Sequence, residues 1–81
     1  MRGANWRREL LYSAVRLDPS LPWVWTNLGV ALRRSGDADG AVLAYEMALR
    51  LDPSDPATQR NLAVARESVS QWFEARGVPL P

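Results

Sequence analysis

Apolar side chains recur along this chain at steps of three and four residues, in four blocks separated by proline, glycine and aspartate. The first block carries Trp6, Leu10, Ala14 and Leu17, and the second Trp25, Leu28 and Leu32 with Val24 and Ala31. The third carries Ala41, Tyr45 and Ala48 with Val42 and Leu49, and the fourth Leu62, Ala65, Val69, Trp72 and Phe73. Such spacing returns to one face of an α-helix at every turn, so it predicts four amphipathic helices, near 4–17, 22–35, 38–51 and 56–76. No stretch alternates with the period of two that a strand requires. Short connectors predict that consecutive helices pack antiparallel.

Local chemistry supports these boundaries. Both LDPS segments end a helix, because proline pushes the preceding residue out of helical geometry. Pro22 and Pro56 suit a first helical turn, where a missing N–H costs nothing. Asp37 and Asp55 are expected N-caps, their carboxylates accepting free backbone N–H groups. Gly36 ends the second helix, and Gly77 followed by Pro79 ends the fourth.

The chain also repeats itself. Shifted by 34 residues, 14–33 overlies 48–67 with eleven of twenty pairs identical. AVRLDPS lies over ALRLDPS, and NLGVA over NLAVA. A period of that length describes a unit of two helices. On 22–55 the pattern Trp25-x-x-Leu28-Gly29, followed by Ala41, Tyr45, Ala48 and Pro53, resembles the tetratricopeptide repeat. Gly29 and Ala41 are small where the paired helices approach, while Trp25, Leu28 and Tyr45 fill the space around that contact. Leu32 departs from the usual tyrosine. Gly40 departs from a helix-favouring residue and should soften the third helix by up to about 1 kcal/mol. The resemblance weakens outward, through Leu11, Ala14, Val15 and Pro19 on one side and Asn61, Leu62 and Ala63 on the other. It implies an all-α fold of antiparallel helix-turn-helix repeats, an α-solenoid fragment with an extended C-terminal helix. The expected organisation of 1–81 is one domain. It comprises a degenerate second helix of a repeat over 4–21, a complete repeat over 22–55, a capping helix over 56–76 and a tail over 77–81.

The family binds peptides or partner helices on a concave face lined by the first helix of each repeat. Carried over, that face receives Trp23, Thr26, Asn27, Val30, Arg33 and Arg34, then Arg60, Asn61 and Val64, with Glu67 at the end of the row. Asn27 and Asn61 stand one period apart. Each amide can clamp a peptide backbone, or can serve a bond within the scaffold. Arg33, Arg34 and Arg60 can meet a carboxylate, or can simply favour a solvated helix end. Trp23 lies about 200° round the helix from Trp25, so Trp25 belongs to the core and Trp23 is either an exposed anchor or packed beneath the first helix. Trp6, Trp72 and Phe73 either cover the ends of the bundle or touch a second chain. With one complete repeat, the open ends invite a partner protein or a homodimer.

Composition narrows the chemistry. The 81 residues carry ten basic and nine acidic side chains, a formal charge of +1, which argues against an electrostatically driven nucleic-acid binder. Helical-repeat RNA binding is the remote alternative. Cysteine and histidine are absent, so thiolate and imidazole chemistry and the commonest metal ligands are missing. The acids fall at helix ends, where capping explains them, and no phosphate loop or nucleophile-base set occurs. No enzyme activity, cofactor or metal site is expected. No apolar run reaches the length of a membrane helix, and the start MRGANWRREL does not read as a secretory signal, so a cytoplasmic location is expected. The expectation is a protein-protein interaction module, an adaptor or accessory subunit.

Overall fold

The computed structural model describes residues 3–79; the last two residues of the expected tail lie outside them. Four helices follow one another, α1 (Gly3–Leu17), α2 (Pro22–Arg34), α3 (Ala38–Leu51) and α4 (Pro56–Ala75). Each packs on its sequence neighbour, and α2 also touches α4. The result is a flat slab of 39 × 37 × 19 Å. No strand occurs among the described residues.

The turns are built as the residue types require. Asp37 caps α3 through its Oδ1, which accepts the Gly40 N–H at 2.8 Å. Asp55 caps α4, accepting the Ala57 N–H at 3.1 Å. Leu21 stands at the N-cap of α2, where no side chain caps the helix and proline opens it instead. Gly36 and Gly77 take φ of 92° and 68°, the left-handed geometry that lets the chain leave a helix. The Ser35 N–H already bonds the carbonyls of Ala31 and Leu32, so α2 stops one residue before the expected end.

The core lies mainly between α2, α3 and α4. Val24, Leu28, Ala31 and Leu32 meet Ala41, Ala44 and Tyr45, with Leu62 and Ala65 closing from α4 and Val15 from α1. Gly29 is required by Tyr45. A Cβ placed there would stand 2.6 Å from Cδ1 and 2.9 Å from Cζ of that ring. Gly40 also has a local reason: a Cβ there would lie 2.5 Å from Oδ2 of the capping Asp37. The expected softening of α3 is thus coupled to room for its cap.

Two expectations of packing need correction. The stripe Trp6, Leu10 and Leu17 on α1 is exposed, and burial falls on Val15 with Leu11 and Ala14 half-buried. Because α1 packs on α2 alone, only the side facing that neighbour is covered. Trp25 is half-buried rather than interior. Its indole N–H donates to the Pro19 carbonyl at 2.8 Å, so the ring straps the turn before α2 to the helix. On α4, Trp72 is exposed and Phe73 half-buried.

Candidate functional site

The side chains expected on the concave face are distributed unevenly. Trp23 is 61% exposed, which places it in solvent and not beneath α1. Asn27 is exposed and Asn61 half-buried, and neither amide makes a hydrogen bond among the described residues. The scaffold therefore leaves their donors and acceptors free. Val64 is exposed and Val30 half-buried.

Thr26 belongs to the scaffold. Its Oγ1 lies 2.8 Å from Thr58 Oγ1 and 3.2 Å from the Pro22 carbonyl. Thr58 is fully buried and donates to Asp55 Oδ2 at 2.7 Å. With its proton committed there, Thr58 accepts from Thr26, and the chain Thr26–Thr58–Asp55 ties α2 to the cap of α4. The Thr58 hydroxyl holds the Asp55 carboxyl below its ordinary range, aided by the backbone N–H groups of Ala57 and Thr58 and by the nearby Arg60 charge. The Ser20 hydroxyl and N–H lower Asp18 in the same way at the preceding turn. Sequence reasoning missed Thr58. The signal available was its position three residues after the capping Asp55, where a polar side chain meets the cap.

The arginines do not form one clamp. Arg34 lines a groove of about 320 Å³ between α1 and α2, with Asn27 and Val30 beside it and Arg7, Leu10 and Leu11 opposite. Arg33 turns instead into a hollow of about 460 Å³ at the α2–α3 turn, bounded by Asp37, Asp39, Trp72 and Phe73. Arg60 lines neither. Successive residues on a helix point about 100° apart, and Arg60 sits in the first two turns of α4 while Arg33 ends α2.

The aromatic residues at the two ends are self-organised. Trp72 and Phe73 meet edge to face with centroids 4.9 Å apart, and the Arg76 guanidinium stacks 4.2 Å from the Trp72 ring centre. Trp6 is half-exposed, with Arg7 5.4 Å over its ring.

Charge is segregated despite the small net value. Helices α1 and α2 carry five arginines against Glu9 alone. Across the slab, a third groove between α3 and α4 is lined by Val42, Leu43 and Val69 and edged by Asp39, Glu46 and Arg66. Glu46 and Arg66 pair there at 2.8 Å. Among the described residues no group of acids could hold a metal ion, and no helix is long and apolar enough to cross a membrane.

Residues 22–65 match the sequence model of the tetratricopeptide repeat. The chain is also similar to a peroxisomal targeting signal receptor of Saccharomyces cerevisiae, with 37% identity over 65 residues. That alignment covers 80% of this chain and 11% of the receptor, so the chain spans about a ninth of the length of this relative.

Proposed function

Since the chain belongs to the tetratricopeptide repeat family, a protein-interaction fold, we propose that it is a non-catalytic adaptor or accessory module. It holds an extended peptide or a partner helix against the exposed faces of α2 and α4, in the cytoplasm. The observation that carries this reading is the pair Asn27 and Asn61. They stand one 34-residue period apart on successive first-type helices, and the scaffold uses neither amide. A peptide backbone repeats its own donors and acceptors, so two free amides in parallel can hold it whatever its side chains. Trp23, Val30 and Val64 supply apolar contact beside them, and Arg34 and Arg60 favour an acidic partner. Thr26 takes no part in this surface, because its hydroxyl is engaged by Thr58.

The test is peptide selection by display against the folded chain, followed by amide chemical-shift mapping of the selected peptides. The expected shifts cluster on α2 and α4, and Asn27→Ala with Asn61→Ala weakens binding at least tenfold without changing helicity. A map confined to other helices, or full affinity in the double variant, refutes the reading.

A further inference from the structure

Helix α1 carries two apolar faces. Val15, with Leu11 and Ala14, is covered by α2. At 100° per residue, Trp6, Leu10 and Leu17 fall within about 40° of one another and about 160° round the helix from Val15. All three are exposed, Leu10 by 61%. The row runs for about three turns, or about 16 Å. No element of the chain lies against it, since α1 packs on α2 alone.

The repeat indicates what such a face takes. One period later, α3 stands in the place of α1 and α4 in the place of α2. Helix α3, however, lies between two neighbours, α2 and α4. The uncovered side of α1 corresponds to the side of α3 that α2 covers. Leu10 stands in the place of Ala44, which is 3% exposed, and exposed Arg7 in the place of Ala41, which is fully buried. Arg7 points about 80° from the apolar row and about 80° from Val15, between the row and α2. It lines the α1–α2 groove together with Arg34, over a floor of Leu10, Leu11, Val30 and Ala31 and with no acid in the lining. Neither arginine makes an ion pair among the described residues. A helix laid on the row would enclose Arg7, and a guanidinium withdrawn from water requires a carboxylate.

We propose that α1 and the α1–α2 groove receive an amphipathic helix of another protein. Its apolar row covers Trp6, Leu10 and Leu17, and an aspartate or glutamate beside that row bonds Arg7 and Arg34. This goes beyond the peptide-binding reading, which assigns nothing to α1, and does not depend on it. Charge and length select this occupant. Helices α1 and α2 hold five arginines and one glutamate, so the complementary partner is acidic. A second copy fails on the same count. In the 34-residue register its α4 would bring Arg66, in the place of Leu32, against Arg7, in the place of Ala41, and both of those places are buried within this chain. An extended acidic peptide would answer the arginines and leave the three-turn apolar row uncovered. A nucleic-acid strand would leave the aliphatic floor of the groove unburied.

The experiment uses three synthetic peptides of about twenty residues, long enough to form a helix on docking. They share one leucine row, flanked by glutamate in the first, glutamine in the second and arginine in the third. Each is titrated into the chain by calorimetry and by amide chemical-shift mapping. The glutamate-flanked peptide should bind, shift Trp6, Arg7, Leu10 and Leu17, and weaken with added salt. The glutamine-flanked peptide should bind at least tenfold more weakly, and the arginine-flanked one not at all. Arg7→Glu with Arg34→Glu, at exposed positions, should invert that order, and Leu10→Ser should weaken the glutamate-flanked peptide at least tenfold. Should a variant lose helicity in far-UV dichroism, the three peptides on the parent chain decide alone. Equal affinity for the three peptides, or shifts confined to α3 and α4, overturns the proposal, as does an unchanged order in the helical double variant. So does a chain mass that rises with concentration in light scattering and is not lowered by the glutamate-flanked peptide, which would give the face to a second copy. Tighter binding of a single-stranded oligothymidylate would give it to nucleic acid and also overturns it.

Discussion

Replacing Gly29 with alanine tests the reasoning about the core most directly. Helix propensity alone predicts a gain of about 1 kcal/mol, since glycine is the poorer helix former by that amount. The structure predicts the opposite sign. The new methyl would stand 2.6 Å from Cδ1 and 2.9 Å from Cζ of Tyr45, well inside contact distance. Tyr45 is fully buried among Leu28, Ala41 and Ala44, so the ring has no vacant space to enter. Overpacking of this kind costs about 1–3 kcal/mol, and contacts this short belong to the upper part of that range. Less the propensity gain, Gly29→Ala should destabilise by about 1–2 kcal/mol. For a domain of this size that lowers the unfolding midpoint by roughly 4–16 °C. The assay is thermal and urea unfolding followed by far-UV dichroism. Two controls isolate the cause. In a Tyr45→Leu background the same substitution should turn neutral or stabilising, because the ring is gone. At the position one period later, exposed Ala63→Gly should cost about 1 kcal/mol from propensity alone. A Gly29→Ala variant as stable as the parent, or one equally costly without the tyrosine ring, refutes the argument.

Tyr45 also carries a buried hydroxyl with no hydrogen-bond partner among the described residues, so Tyr45→Phe should raise stability by about 1 kcal/mol in urea titration. Thr58→Val removes the link between Thr26 and Asp55 and should cost about 1–2 kcal/mol, with the α2–α4 contact loosening first in amide exchange. Asp18 and Asp55 are held below their ordinary value of 3.8 by hydrogen bonds made only in the fold. Their stabilising contribution is therefore complete above that value and is lost as the pH falls through their lower folded values, and Asp55→Asn should flatten this acid limb of the unfolding profile. The Glu46–Arg66 pair is largely solvated, so Glu46→Gln should change stability by less than about 1 kcal/mol.

What the sequence determined by itself was local and periodic. Four helices, their caps at Asp37 and Asp55, the prolines at the first turns and the 34-residue unit are all consequences of near-neighbour chemistry. The candidate surface was legible to the extent that it follows helical phase, which put Trp23, Asn27, Val30 and Val64 on accessible sides of their helices. Tertiary structure decided which faces acquire neighbours. An apolar residue at helical spacing is buried only if another element lies against it, so Leu10 and Leu17 on α1 are exposed where only α2 packs, while Val15 is covered. The same limit applies to polar groups. Thr26 and Thr58 lie 32 residues apart, and only the docking of α4 beside α2 turns two hydroxyls into one scaffold link. Arg33 and Arg34 are adjacent in the chain, yet helix rotation and the position of α4 send them into different hollows. Periodicity specifies the direction in which a side chain points along its own helix; what it meets there depends on how the helices are stacked.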